Sequence, residues 1–134
     1  MFVGHYAVGF LLKKKVEIPL WLFFIAVQFV DILAFILVLL GVERMSYNPT
    51  DNPFLRTFIE YVPFTHSLSS NFLIALYVFL AFWKIKSRTW GIALAIAVLS
   101  HWFIDFIAHT KDMPLLFNSL KVGIGLWNFP WIVF

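Results

Sequence analysis

The chain has 134 residues, of which 62% are apolar, 20% aromatic and 13% charged. Soluble domains carry about 45–50% apolar and about 25% charged residues, so this composition points to an integral membrane protein and away from a water-soluble one. The net charge of +3 is dispersed through short loops, which excludes a nucleic-acid surface, and the lack of cysteine excludes thiolate metal sites, disulfides and cysteine nucleophiles.

The chain opens on an apolar stretch, Phe2 to Leu12, with Lys13, Lys14 and Lys15 after it. A signal peptide has the opposite order, basic residues first. The stretch is too short to cross a hydrocarbon core of about 30 Å. It reads as a short N-terminal helix, re-entrant or tucked against a bundle, and it carries His5.

Ile18 to Gly41 is the strongest candidate span, interrupted only by Gln28 and Asp31. The outer segment Val42 to Pro63 follows. Asn48-Pro49 and Asn52-Pro53 are turn signals. Asn52 as a cap and Pro53 at the first helical position predict an outer amphipathic helix, with Phe54, Leu55, Phe58, Ile59 and Val62 toward the membrane interface. Glu43 counts there among loop charges, with Asp51 and Glu60, that balance Arg44 and Arg56.

Phe64 to Trp83 is the second span; His66 opens it, with Thr65 as candidate cap and Ser70 one turn further on. Thr89 to Ala108 is the third and contains His101 and Asp105. His109 lies one turn beyond Asp105, near the outer surface, and reads as a solvated interface residue or a supporting one. Lys121 to Phe134, with Trp127, Trp131 and two glycines, reads as an interfacial tail or as the start of a truncated fourth span. The expected fold is a single all-α domain over residues 1–134. It is a polytopic transmembrane bundle of three spans, with the short N-terminal helix and the outer amphipathic helix. Lys13–Lys15 and the later Lys84, Lys86 and Arg88 fall on one side if all three runs cross, and the positive-inside rule makes that side cytoplasmic.

The chemistry sits in the polar residues of these spans. A carboxylate at the bilayer centre costs about 2.5–3.5 kcal/mol to insert, and no lysine or arginine within the spans neutralises Asp31 or Asp105. Helical spacing of four puts His101 and Asp105 on one face, where they can chelate one cation. At about 1.5 Å per residue, Asp31, His66, His101 and Asp105 all fall in the outer half of the membrane, and tilt brings His5 near them. Neutral histidines and two carboxylates around one divalent cation make a neutral site. The metal ligands are therefore expected among His5, His66, His101 and Asp105. Asp31 is the catalytic general base or a further ligand, and Ser70 and His109 are supporting residues. Mixed His/Asp ligation favours zinc, with manganese or iron as alternatives. A hydrolase of phosphodiester or lipid-linked substrates is the first expectation. A proton-coupled carrier using the same residues, or a non-enzymatic scaffold, is the alternative. The expected partners are the lipid bilayer, a small-molecule or lipid substrate and a second copy of the chain.

The order His5, Asp31, Thr65-His66-Ser67, His101-x-x-x-Asp105 and Asp112-Met113-Pro114-Leu115-Leu116 resembles the membrane-bound metal-dependent hydrolases of bacterial inner membranes, the YdjM-like family. The likeness covers nearly the whole chain. It is closest to a branch of small membrane proteins that share the run from Lys121-Val122-Gly123 to Leu126-Trp127-Asn128. Asp31 stands alone between Val30 and Ile32 where the family has two early aspartates. The resemblance implies a helical membrane bundle in the bacterial cytoplasmic membrane, a metal site on these residues and hydrolase activity.

Overall fold

A computed structural model describes residues 4–47, 57–117 and 119–129, with backbone alone at 57–59. Four helices carry the fold: α1 (Tyr6–Lys13), α2 (Leu20–Leu39), α3 (Leu68–Ile85) and α4 (Arg88–Ala108). The last three are long and apolar enough to cross a membrane, and the chain is a membrane protein of helical-bundle type.

Local chemistry places the helix ends. Pro19 precedes α2, where its fixed φ and missing N–H suit a helix start. Ser67 and Ser87 cap α3 and α4, accepting from the Ser70 and Trp90 amides at 3.1 and 3.3 Å. Gly41 closes α2 at φ +72°, in the left-handed region that favours glycine.

α4 is the central helix, packed on both α3 and α2. Phe23, Val27 and Val30 of α2 meet Leu94, Ala97 and Val98 of α4 in the main apolar core, which Ala75 of α3 completes. The outward faces are apolar as well: Ile25, Phe35, Phe72, Leu76, Ile96 and Phe103 are exposed, as a lipid-facing surface requires. The short α1 lies on α2, with Phe24 edge-on to Tyr6 and Phe10 at 4.9 and 5.2 Å.

Small residues let membrane helices approach closely. At Gly91 of α4 an added Cβ would lie 2.5 Å from the Phe79 carbonyl oxygen and 3.2 Å from the Trp83 amide nitrogen, both backbone atoms of α3. Gly91→Ala is expected to lose about 1–3 kcal/mol, because backbone cannot move aside as a side chain can. Thermal unfolding in detergent, followed by circular dichroism, checks this, and an unchanged midpoint would show that the crossing yields.

One end of the bundle carries two small antiparallel hairpins. β1 (Arg44–Tyr47) pairs with β2 (Thr57–Tyr61), and β3 (Met113–Pro114) with β4 (Lys121–Val122). Val62, Trp102 and Met113 form a second buried cluster beneath them. The segment after β4 runs beside the end of α4: the Ile124 and Gly125 amides donate to the Phe106 and His109 carbonyls at 2.9 and 2.7 Å. These bonds satisfy carbonyls that a helix end leaves unpaired. Gly123 allows the approach, since a Cβ there would fall 1.7 Å from the Thr110 carbonyl oxygen.

The second span starts at Leu68 rather than Phe64, because residues 63–67 form a hydrogen-bonded loop capped by Ser67, not Thr65. The predicted outer amphipathic helix is corrected over its second half. Residues 57–61 are the strand β2, a run of threonine, aromatic and β-branched types whose amides pair across the hairpin. Its first half, Pro53 to Arg56, lies outside the described residues, as do the turn signals at Asn48-Pro49 and Asn52-Pro53. Of the candidate fourth span, residues 121–128 form β4 and a single 3-10 turn, Leu126–Asn128, and residues 130–134 lie outside the described residues.

Candidate metal centre

Five ionisable side chains from four parts of the chain converge. His5 comes from the residue before α1, Asp31 from the middle of α2, His66 from the loop before α3, and His101 and Asp105 from successive turns of α4. Asp105 bridges two histidines: Oδ1 is 3.2 Å from His5 Nε2 and Oδ2 is 3.1 Å from His101 Nε2. Asp31 bridges His101 to a third histidine, its Oδ1 lying 3.4 Å from both His66 Nε2 and His101 Nε2. The His5 and His101 rings stack at 4.0 Å, and His66 meets His101 edge-on at 5.6 Å.

The donor atoms therefore form two triads, His5–His101–Asp105 and Asp31–His66–His101, each with all its ligand atoms within 4.8 Å of one another. His101 Nε2 belongs to both. Its other nitrogen, Nδ1, lies 2.8 Å from the Val27 carbonyl, which only accepts, so Nδ1 carries the hydrogen. The neutral ring then turns one lone pair, on Nε2, toward the cluster.

The two separations at Asp31 suit ligands better than hydrogen-bonded ion pairs. Charge-assisted N–H···O bonds run at about 2.7–2.9 Å. Zinc bonds of about 2.0–2.1 Å in tetrahedral geometry put ligand atoms about 3.3–3.4 Å apart. The Asp31 contacts, both 3.4 Å, match the second spacing, and the Asp105 contacts, 3.1 and 3.2 Å, lie between the two. His5 Nε2 and His101 Nε2 are buried without an aligned hydrogen-bond partner among the described residues. Burying such nitrogens unsatisfied costs about 1–3 kcal/mol each, which a bound cation relieves. The donor set fits a divalent cation: two carboxylates and three neutral imidazoles need a charge of +2. Burial holds the His5 imidazole below its ordinary pKa range, against the opposing pull of Asp105, so the ring is neutral at neutral pH.

Access is one-sided. The Asp31 side chain is 19% exposed, whereas those of His5, His66, His101 and Asp105 are at most 4% exposed. Asp31 lies eight residues before the end of α2, about 12 Å down the helix axis. Its neighbours Ile32 and Phe35 face outward.

The loop that presents His66 is braced from several directions. Asn71 Nδ2 donates to the Thr65 and Ser67 carbonyls at 2.6 and 3.0 Å. Glu43 is buried, and it accepts from the Phe64 and Thr65 amides, both at 2.9 Å, and from the Thr65 hydroxyl at 2.6 Å. Thr65 Oγ1 in turn lies 2.9 Å from His66 Nδ1. From sequence Glu43 counts only among the outer loop charges. Nothing in its neighbours Val42 and Arg44 marks it, because its partners lie more than 20 residues away.

Of the two residues expected to support the site, Ser70 lies beneath the His66 loop and His109 lies at the end of α4. Ser70 donates to the Pro63 carbonyl at 2.7 Å and accepts from Ser67 at 2.8 Å, which braces the His66 loop from below. His109 is buried rather than solvated, because the returning segment covers it: its Nδ1 is 3.2 Å from Asp112 and its ring lies 4.1 Å from that of Trp127. Gln28, one turn before Asp31, is buried with neither side-chain polar atom bonded among the described residues. No protein-family model, no curated protein and no solved structure matches this chain.

Proposed function

We propose that this chain is a membrane-embedded, metal-dependent hydrolase with one divalent cation, zinc in the first instance, bound at His101 Nε2. The observation that carries the reading is the sharing of that atom by two His/Asp triads at metal-ligand spacing. One lone pair serves one ion, so the triads are not two independent sites. The Asp31–His66–His101 triad is the better holder, because it is the one with an opening, and catalytic zinc sites keep a position free. Asp31, expected from sequence as the base or a further ligand, is therefore assigned as a ligand. Asp105, between His101 and His5, is placed to accept a proton and hand it to His5. A cation held there would supply Lewis acidity and a nucleophile at neutral pH.

Hydrolysis rather than storage is supported by the one-sided access and by the resemblance to bacterial inner-membrane hydrolases. That resemblance also suggests the cytoplasmic membrane, and the positive-inside rule puts Lys13–Lys15 on its cytoplasmic side. The depth of Asp31 and its lipid-facing neighbours favour an ester or phosphodiester substrate that arrives through the bilayer. The deciding experiment is metal analysis by mass spectrometry of protein purified in mild detergent, followed by assay on a chromogenic phosphodiester. About one equivalent per chain and turnover abolished by chelation are expected. A folded protein that neither carries metal nor takes up added Zn²⁺ overturns the reading. Proton flux in liposomes from that metal-free protein would favour the carrier alternative.

A further inference from the structure

His66 can bind a cation through Nε2 only if its hydrogen sits on Nδ1. Imidazole alone does not enforce this, since the neutral ring exchanges freely between tautomers. The structure supplies a chain of hydrogen bonds that does. Glu43 lies between the end of α2 and β1, 1% exposed. Its Oε1 is taken by the Phe64 and Thr65 amides, which can only donate. Its Oε2 takes the Thr65 hydroxyl hydrogen at 2.6 Å. With that hydrogen committed, Thr65 Oγ1 has only lone pairs left for His66 Nδ1 at 2.9 Å, so Nδ1 must donate. The direction runs His66 to Thr65 to Glu43, and the Nε2 lone pair is left pointing at Asp31.

We propose that Glu43 and Thr65 are positioning residues that lock His66 in its metal-binding tautomer, with the buried Glu43 carboxylate setting the direction of the whole chain. Neither touches the cation or substrate. Histidine ligands are commonly held in this way by a carboxylate or carbonyl, with tenfold to hundredfold effects on affinity; here a threonine hydroxyl is interposed. The arrangement also ties the ligand to the hairpin, because Glu43 immediately precedes β1 and Thr65 follows β2 by four residues. The inference rests on the proposed metal site for its consequence, but not for its geometry.

The direction makes the test sharp. In Glu43→Gln the amide oxygen still accepts from the two backbone donors, but the amide nitrogen donates to Thr65. The threonine hydroxyl hydrogen is then free to turn to His66 Nδ1, which puts the ring hydrogen on Nε2. Nitrogen NMR of ¹⁵N-histidine-labelled, metal-free protein reads the tautomer directly. The wild type and Thr65→Ser should show Nδ1–H for His66, Glu43→Gln should shift toward Nε2–H, and Thr65→Val should give a mixture. Zn²⁺ affinity should fall tenfold to hundredfold in Glu43→Gln and Thr65→Val and return within about threefold in Thr65→Ser. A merely structural brace would lower the unfolding temperature without moving the tautomer. An unchanged His66 tautomer in a folded Glu43→Gln protein overturns the proposal. A tautomer that flips in a protein that never binds Zn²⁺ upholds the positioning role and removes the metal centre instead.

Discussion

Replacing His101 with alanine should abolish Zn²⁺ binding, a loss of at least a hundredfold, whereas alanine at His5 should leave measurable affinity. The asymmetry follows from geometry. His101 Nε2 is the one atom common to both triads, so its removal reduces each to two ligands. Removing His5 leaves the open triad complete, and removing His66 leaves the enclosed one. His101 is also the most constrained ligand, with its tautomer fixed by Val27 and its ring stacked on His5. The truncation leaves a cavity, so circular dichroism must show that the helices persist. Titration calorimetry on the folded variants then ranks the ligands. Equal losses at His5 and His101 would mean that the ion sits in the enclosed triad, and its assignment to Asp31, His66 and His101 would fall.

Metal itself should stabilise the fold. A ligand that binds the native state at a hundred times its dissociation constant contributes about 2.7 kcal/mol. For a chain of this length that corresponds to a rise in Tm of roughly 10 °C. The physical source is the two bridging carboxylates: without a cation, Asp31 and Asp105 lie in a largely desolvated cluster in which the Asp31 contacts to histidine, at 3.4 Å, exceed good hydrogen-bond length. Chelator should reverse the shift. Asp31→Asn should shrink it, since an amide neutralises no charge. A Tm unmoved by saturating Zn²⁺ would show that the cluster holds its charges by internal pairing alone.

Much of the bundle is legible from residue order. The three spans follow from apolar runs of bilayer length, and the structure moves their ends by at most four residues. The polar residues of the site were legible for the complementary reason. Asp31, His101 and Asp105 are conspicuous because each is expensive in lipid, and their depths along regular helices could be counted. His66 stood out less, and it reaches Asp31 because α3 begins late, at Leu68, leaving a loop that carries the histidine toward the centre. His109 was misjudged because helical counting places it near a surface, while β4 and the segment after it return to cover it. The strand β2 was misread for a similar reason. Its residues suit either a helix lying on the interface or a strand, and a partner strand ten residues earlier decided between them.

The amino-acid order alone determined that this is a membrane protein, where it crosses, and which polar side chains require a partner inside the membrane. Those properties follow from the transfer of single residues and single helices into hydrocarbon, and need no neighbour to define them. Only the tertiary structure decided that His101 is shared, that Asp31 is the open member, and that Glu43 stands behind His66. Each of these is a distance between atoms from separate segments. Such distances are set by how the helices cross and the loops close, which no local pattern encodes.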